Sequence, residues 1–182
     1  MPERKKIKEH PSSGVSDAFF MSSCDGVHFD QRFMEALIRP DFDPNNWTQR
    51  SNMPAWGVVP TSPNEIPLYY VEHYNHPTCC LRRATLRIDG FVSVHADYNG
   101  GEFTTRPMTF RGYELIINYS TSAVGSVKVE IQDVKGKPIL SYTLKDSEEI
   151  YGDETEYAVE WREGRDLSHL IGQPIRLKFV MR

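Results

Sequence analysis

Alternation of apolar and polar side chains in the C-terminal half limits the fold of this chain more than any other feature. The run 126–132 places Val127, Val129 and Ile131 on one face, which is the period-two pattern of a half-buried strand. Similar runs predict strands at 113–119, 139–144, 156–161 and 175–180, whereas only 166–172 is typical of a short helical turn. Strands at this spacing, joined by turn residues, predict an all-β chain containing an antiparallel β-sandwich.

The N-terminal half differs in composition, because prolines recur at positions 40, 44, 54, 60, 63, 67 and 77. Strands are predicted at 18–22, 33–39, 55–59 and 68–72. Asp25-Gly26 is a hairpin signal between the first two, and this pairing is more typical of a turn than of a catalytic carboxylate. We therefore divide the chain into a flexible N-terminal tail (1–13), a first β segment (14–88) and a β-sandwich domain (89–182), with Asp89-Gly90 at the junction.

Composition excludes several classes of function. The 182 residues carry a net charge of −4, so there is no basic surplus for a nucleic-acid partner, and the basic run 4–8 is interpreted as a solvated tail. No apolar run approaches the roughly 18 residues of a membrane span, and no signal peptide is recognisable. An odd set of three cysteines (Cys24, Cys79 and Cys80) does not form a disulfide framework, which favours a reducing, cytoplasmic setting.

No metal or cofactor is predicted, because no Cys/His spacing suits zinc and no phosphate loop or dinucleotide fingerprint is present. Acidic residues do cluster at 146–156 around Tyr151-Gly152. Calcium is one interpretation of this cluster, since oxygen ligands are concentrated there. Without the spacing of an EF-hand, a solvated acidic loop is the favoured interpretation.

The stretch 47–76 is the part of the chain richest in chemistry. Flat aromatic faces beside hydrogen-bonding tips suit a sugar-like ligand, and they also suit a wet protein interface. Arg50 and Asn52 lie in a proline-bounded loop, where binding residues concentrate. Trp56 has two interpretations of equal weight, ligand contact or core, because 55–59 resembles a buried strand. The predicted substrate-binding residues are Trp47, Arg50, Asn52, Trp56 and Tyr74.

Glu72 and His73 are the predicted catalytic residues, since a carboxylate near an imidazole at a strand end can act as general acid or base. Side chains of neighbouring strand residues point to opposite faces, which makes it difficult for both to enter one cleft. The alternative is a surface glutamate next to a histidine bonded to nearby backbone.

Several segments resemble a known group of proteins. They are similar to the C-terminal part of glycoside-hydrolase-like proteins, which resemble the five-bladed β-propeller glycosidases (invertase-like and arabinanase-like) and carry a C-terminal β-sandwich. The resemblance covers most of 14–182. The matching segments are Ser23-x-Asp25-Gly26-Val27-His28-Phe29, Asn46-Trp47-x-x-Arg50-x-Asn52-x-Pro54-Ala55-Trp56-Gly57, Leu68-Tyr69-x-x-Glu72-His73-Tyr74, Leu86-Arg87-x-Asp89-Gly90-Phe91-Val92-Ser93, Asn118-Tyr119-Ser120-Thr121-Ser122-Ala123-x-Gly125-Ser126-Val127 and Tyr151-Gly152-Asp153-Glu154.

The resemblance implies a propeller-blade-like segment at 14–88 and a jelly-roll-like sandwich at 89–182. It also implies a carbohydrate partner and a glycoside-hydrolase-like function, acting on or binding glycosides. Such glycosidases carry three acidic catalytic residues on earlier blades, so a chain with only the last blade or two lacks them, and Glu72 is at most a residue of the funnel. The strand at 178–182 stops without a turn, which is what a fragment would show.

Two alternatives remain open. One is a non-catalytic carbohydrate-binding or accessory module, which the missing acids favour. The other is a structural fragment that forms homo-oligomers through exposed sheet edges, because one blade in isolation leaves its edges uncovered.

Overall fold

The computed structural model describes residues 15–32, 34–48, 50–58 and 61–182. The predicted tail at 1–13 lies outside this range. The described chain is all-β, as predicted, with antiparallel strands and two short 3₁₀ helices, Pro44–Asn46 and Ser168–Leu170. It divides into two compact units, the first ending at Ser93 and the second spanning Val94–Arg182. The boundary predicted from the sequence, at residue 88, lies five residues before this division.

The first unit is organised around a three-stranded antiparallel sheet of β1 (Met53–Pro54), β2 (Glu65–Glu72) and β3 (Cys80–Arg87), in that order. The register between β2 and β3 runs from Glu65 opposite Arg87 to Glu72 opposite Cys80. The predicted strand 68–72 is confirmed, and it begins three residues earlier than expected. The turn 73–79 joins β2 to β3 and forms part of the site described below.

Two other predicted strands of the first unit are reduced to single bridges, and residue 33 lies outside the described residues. Phe19 bridges Ala36 and Ser22 bridges Asp30, with no continuous ladder between them. The turn between them is as predicted: Asp25 Oδ1 accepts the backbone N–H groups of Val27 and His28, at 2.9 and 2.8 Å. Side chains that bond to nearby backbone compete with ladder formation, which explains why the pairing stays short.

The predicted strand 55–59 is wrong over its described residues. Ala55 N–H still donates to Tyr69 O at 2.7 Å, but Gly57 then adopts a φ of +95° and the chain leaves the sheet. Trp56 is fully exposed, so the core interpretation of this residue is also wrong. Residue 59 lies outside the described part of the chain.

The second unit contains two antiparallel sheets. Its strands are β4 (Gly101–Thr104), β5 (Ile116–Ser120), β6 (Val127–Gln132), β7 (Asp153–Ala158) and β8 (Arg176–Met181). One sheet has the order β4-β8-β6, and the other pairs β5 with β7. The predicted strands at 113–119, 126–132, 156–161 and 175–180 correspond to β5, β6, β7 and β8, with ends displaced by up to three residues.

One apolar core fills the second unit. Val127, Val129 and Ile131 of β6 are buried, as the alternation predicts, and side chains of the β5–β7 sheet pack against the same cluster. Trp161 is at its centre, where its indole Nε1–H donates to Val129 O at 2.9 Å. Its ring also meets the Tyr142 ring edge-on, with centroids 5.3 Å apart.

The predicted strand at 139–144 is wrong. Ser141 adopts a φ of +72°, which turns the chain away from the strand conformation. Tyr142 N–H donates to Ile139 O at 3.1 Å, which closes a turn instead of extending a ladder. Ile139 N–H still donates to Ile131 O, and Ile131 N–H donates to Tyr142 O, both at 2.9 Å. The segment therefore covers β6 without forming a regular strand.

Candidate functional site

Two loops of the first unit meet at a polar cluster. One is the segment 41–52, and the other is the 73–79 turn, whose peptide groups have no sheet partners. Side chains of the first loop bond to the second: Asn46 Oδ1 accepts His73 N–H at 3.1 Å. Ser51 Oγ accepts Tyr74 N–H at 3.1 Å, and Thr48 Oγ1 donates to Tyr74 O at 3.2 Å. Buried polar groups need such partners, and these bonds hold the two loops together.

The backbone of this cluster is unusual. Asp41, Arg50, Asn52, His73 and Asn75 all have positive φ values, between 55° and 67°. Non-glycine residues adopt this region rarely, and where surrounding structure enforces it the cost is of order 1–3 kcal/mol per residue. The first unit therefore maintains strain where the two loops meet.

His73 is held at both ring nitrogens. Its Nδ1 lies 2.9 Å from Thr78 Oγ1, and its Nε2 lies 2.9 Å from Asp43 Oδ2. The N–H of Asn45, followed by the bond from His73, holds the pKa of the Asp43 carboxyl below its usual range. Asp43 also caps the 3₁₀ helix that begins at Pro44, which fixes the carboxylate in position. The imidazole is thus oriented as well as anchored.

Glu72 faces different partners. Tyr70 donates its hydroxyl to Glu72 Oε1 at 3.0 Å, and Arg82 Nε donates to Oε2 at 2.8 Å. Burial raises the pKa of this carboxyl, but the hydrogen bonds from Arg82 and Tyr70 and the charge of Arg82 outweigh burial and leave the pKa below its usual value. Glu72 is ionised at neutral pH in this arrangement, so it can accept a proton or a hydrogen bond but has no proton to donate.

Arg50 and Tyr74 form a pair on the exposed side of the cluster. Arg50 Nη1 donates to the Tyr74 hydroxyl at 3.4 Å, and the guanidinium carbon lies 5.9 Å from the centre of the Tyr74 ring. Both distances are long, so each interaction is weak. The backbone N–H of Arg50 donates to Ser16 Oγ at 2.7 Å, which ties the loop to the start of the described chain.

Asn52 is the most informative side chain of the cluster. Only 1% of it is exposed, and its backbone N–H donates to Val71 O at 2.6 Å. Within the described part of the chain, neither Oδ1 nor Nδ2 of its amide has a hydrogen-bond partner. An unsatisfied buried polar group costs about 1–3 kcal/mol. The buried Nε2 of His76 is likewise without a partner among the described residues.

The structure brings some of the predicted site residues together and leaves others apart. Arg50, His73 and Tyr74 belong to the cluster through the bonds given above, and Asn52 follows the clustered Ser51. Trp47 is half exposed, and its indole N–H donates to Asp41 O at 2.9 Å.

No described hydrogen bond joins Glu72 to His73, which is consistent with the opposite directions of neighbouring side chains. Sequence reasoning missed Asp43, Asn46, Ser51 and Thr78. The Asp43-Pro44 pair was the one available signal, because it is typical of a helix start.

Other kinds of site find no support among the described residues. No group of three or more His, Cys, Asp or Glu side chains is arranged to hold a metal ion there. In the same part of the chain, no helix has the length and apolarity needed to cross a bilayer. A scan against protein-family models matched no family, and searches of curated proteins and of solved structures found no significant match.

Proposed function

We propose that the first unit binds carbohydrate through a surface formed by 41–52, the 73–79 turn and the exposed ring of Trp56. The observation that carries the proposal is the amide of Asn52, which is buried in a strained polar cluster and has no hydrogen-bond partner among the described residues. An amide offers both a donor and an acceptor, and each hydroxyl of a sugar needs both. Only 1% of Asn52 is exposed, so a ligand reaches this amide when a covering side chain moves aside, and its bonds to the amide then recover the cost of burying it.

The chain on either side of Asn52 in the sequence also suits a sugar. Trp47 and the fully exposed Trp56 present flat apolar faces, and Arg50 presents a guanidinium whose carbon lies 5.9 Å from the centre of the Tyr74 ring. Sugar rings have apolar C–H faces and a polar rim, so binding sites combine aromatic rings with fixed hydrogen-bonding groups. The resemblance of this segment to glycoside-hydrolase-like proteins is in line with the same ligand class.

We propose binding, with glycoside hydrolysis as the second candidate. Hydrolysis of a glycoside uses two carboxyl groups, one of which donates a proton to the leaving oxygen. Glu72 is ionised and engaged by Arg82 and Tyr70, which suits it poorly for donating a proton. The oriented imidazole of His73 favours the second candidate, since it can act as general acid or base when a substrate takes the place of Thr78 at Nδ1.

For the architecture, we propose that the two sheets of the second unit form a jelly-roll-like sandwich and that 14–88 is related to a propeller blade. Support for the sandwich comes from the single core that both sheets contact. Support for the blade is the resemblance in sequence, together with the antiparallel order β1-β2-β3.

Screening of the full chain against an array of oligosaccharides tests the carbohydrate proposal. The best ligand is then titrated by calorimetry into the wild type, Trp56→Ala and the matched control Tyr98→Ala, which removes an equally exposed aromatic ring from the second unit. We expect Trp56→Ala to weaken binding by about tenfold, because stacking on an aromatic ring contributes about 1–1.5 kcal/mol. Equal affinities of both variants and the wild type would exclude this surface.

A separate assay decides between binding and hydrolysis. The wild type and Glu72→Gln are incubated with a panel of nitrophenyl glycosides, and release of nitrophenol is followed. Turnover by the wild type that is lost in Glu72→Gln would establish the hydrolase and overturn the non-catalytic proposal. Binding on the array without turnover is the result we expect.

A further inference from the structure

β3 is the last strand of its sheet, and the structure places no other strand on its outer edge among the described residues. Ile88 N–H donates to Asn64 O at 2.9 Å, so the alternating bonds of an antiparallel pair direct the even-numbered peptide groups of β3 toward β2. The odd-numbered peptide groups point outward. Within the described part of the chain, the N–H and C=O groups of Leu81, Arg83 and Thr85 have no hydrogen-bond partner.

This edge is long, since β3 has eight residues. A long unpaired edge is a template on which another strand can add. The second unit covers the outer side of β6, where Val127 N–H donates to Ile150 O and Ile131 N–H donates to Tyr142 O, both at 2.9 Å. The opposite edge of the first sheet is β1, which has only two residues. Of the two edges of this sheet, β3 is therefore the one suited to pair with a further strand.

The arginines beside this edge already have counter-charges within their own sheet. Arg82 Nε donates to Glu72 Oε2 at 2.8 Å, and Arg83 Nη2 lies 3.7 Å from Glu65 Oε2. Both glutamates belong to β2. Leu81, which is 64% exposed, adds an apolar side chain to the same edge. An edge of this kind does not select an acidic partner, and a strand of mixed composition suits it better.

The sequence of β3 is compatible with itself in one antiparallel register. Because the outward peptide groups belong to odd-numbered residues, odd-numbered residues must face each other across the new pair. Registers centred on Arg82, Arg83 or Thr85 place arginine opposite arginine, and like charges directly opposite are destabilising. A register centred on Ala84 places Arg83 opposite Thr85 of the second copy. The small side chain of Ala84 then lies on the two-fold axis, where Cα atoms approach to about 4.5 Å.

From these observations we propose that the β3 edge binds the β3 edge of a second copy of this chain, in the register centred on Ala84. The two three-stranded sheets join into one antiparallel sheet, and the peptide groups of Arg83 and Thr85 exchange hydrogen bonds with those of Thr85 and Arg83 of the second copy. Two-fold symmetry uses both edges, so the assembly closes as a dimer. The self-association that the sequence leaves open thereby acquires a specific edge, and it needs no residue of 41–52 or of the 73–79 turn.

The experiment is sedimentation velocity of the full chain over a series of concentrations. The test variant is Thr85→Pro, which removes an outward N–H and no bond to β2. Its matched control is Thr85→Ala, which removes the same side chain and keeps the N–H. Exchange protection of the Ile88 amide, which donates to Asn64 O, verifies in each variant that β2 and β3 remain paired.

We expect the wild type to reach twice the mass of the chain and no more. Thr85→Pro should weaken dimerisation by about tenfold or more, because symmetry removes one hydrogen bond on each side of the axis, and Thr85→Ala should weaken it by less than about threefold. In the wild type, exchange protection of the Arg83 and Thr85 amides should rise with protein concentration.

Charge at position 85 tests the register without a proline. Thr85→Glu places a carboxylate opposite Arg83 of the second copy twice in each dimer, and it should tighten the dimer by about threefold or more. Thr85→Lys places a cation there and should weaken the dimer by a similar factor. Equal affinities of these two variants would overturn the proposed register.

Two further outcomes would overturn the proposal as a whole. One is a wild type that remains monomeric up to about 0.5 mM, or a dimer that no substitution at position 85 affects. The other is a monomer whose Leu81, Arg83 and Thr85 amides shift when an alternating Thr-Glu hexapeptide is added, since the edge would then accept a different strand. Neither outcome bears on carbohydrate binding, which the oligosaccharide array tests separately.

Discussion

Replacing Asn52 with glycine should stabilise the first unit while impairing its ligand binding. Asn52→Gly keeps the backbone conformation accessible, because glycine adopts a φ of +58° without strain. It removes a buried amide whose two polar atoms have no partner among the described residues. The substitution therefore tests whether the Asn52 side chain serves the backbone conformation of the loop or the binding of a ligand.

The expected magnitude follows from three contributions. Removing two unsatisfied groups recovers about 2–6 kcal/mol, at about 1–3 kcal/mol each. A void on the order of 60 Å³ costs about 1.5 kcal/mol. The extra freedom of glycine in the unfolded chain costs about 0.5–1 kcal/mol. Taking about 3 kcal/mol for the first contribution, the free energy of unfolding of the first unit rises by about 1 kcal/mol, in addition to the relief of backbone strain that any glycine at a positive φ provides.

Hydrogen exchange measures this change in each unit separately. Protection of the Ala55 and Tyr74 amides, which bond to Tyr69 O and Ser51 Oγ, reports on the first unit, and the Ile131 amide is the internal reference in the second. Asn75→Gly is the matched control, because Asn75 has a φ of +67° and an exposed side chain. Asn75→Gly relieves the same backbone strain and adds the same unfolded-state entropy, so the difference between the two variants reports on the buried amide.

A loss of more than about 1 kcal/mol in Asn52→Gly relative to Asn75→Gly would refute the reasoning, since it would mean that the amide is satisfied within the folded chain. A gain in stability combined with unchanged affinity for the best glycan would remove Asn52 from the binding surface. The proposal requires that Asn52→Gly both raises the stability of the first unit and lowers its affinity for the glycan.

Two further predictions concern the rest of the chain. Trp161→Ala should lower the free energy of unfolding of the second unit by about 3–5 kcal/mol in urea denaturation, because it empties the centre of the core and removes the bond to Val129 O; a loss below about 1 kcal/mol would contradict this packing. Glu72→Gln should cost the first unit about 1 kcal/mol at pH 7 and less near pH 3. The folded pKa of Glu72 is lowered, so its stabilisation is complete above the unfolded pKa and disappears as pH falls through the folded pKa. Equal losses of stability at both pH values would be inconsistent with an ionised Glu72.

The sequence predicted the second unit better than the first, and the reason is physical. Val127, Val129 and Ile131 alternate because one face of β6 is buried, and burial is what a period-two pattern records. The segment 139–144 has a similar pattern, but the positive φ of Ser141 turns it into an irregular cover over β6. A serine carries no signal of that conformation, whereas a glycine would have.

The candidate site was predicted as a list of residues and not as an arrangement. Arg50, Asn52, His73 and Tyr74 were recognised by type, since aromatic and hydrogen-bonding side chains are concentrated near them. That His73 bonds Asp43 rather than Glu72 depends on a contact between residues 30 positions apart. Spacing along one sequence contains no information on such a contact, because it is created by the way the two loops pack.

The most direct test of the central claim is a titration of the full chain with the best oligosaccharide from the array, recorded by amide and side-chain chemical shifts. The account predicts saturable shifts at the Arg50 and Tyr74 amides and at the Asn52 side-chain NH₂, with Ile131 unchanged. A chain that binds no oligosaccharide on the array, or one whose shifts leave Asn52 untouched, would contradict it.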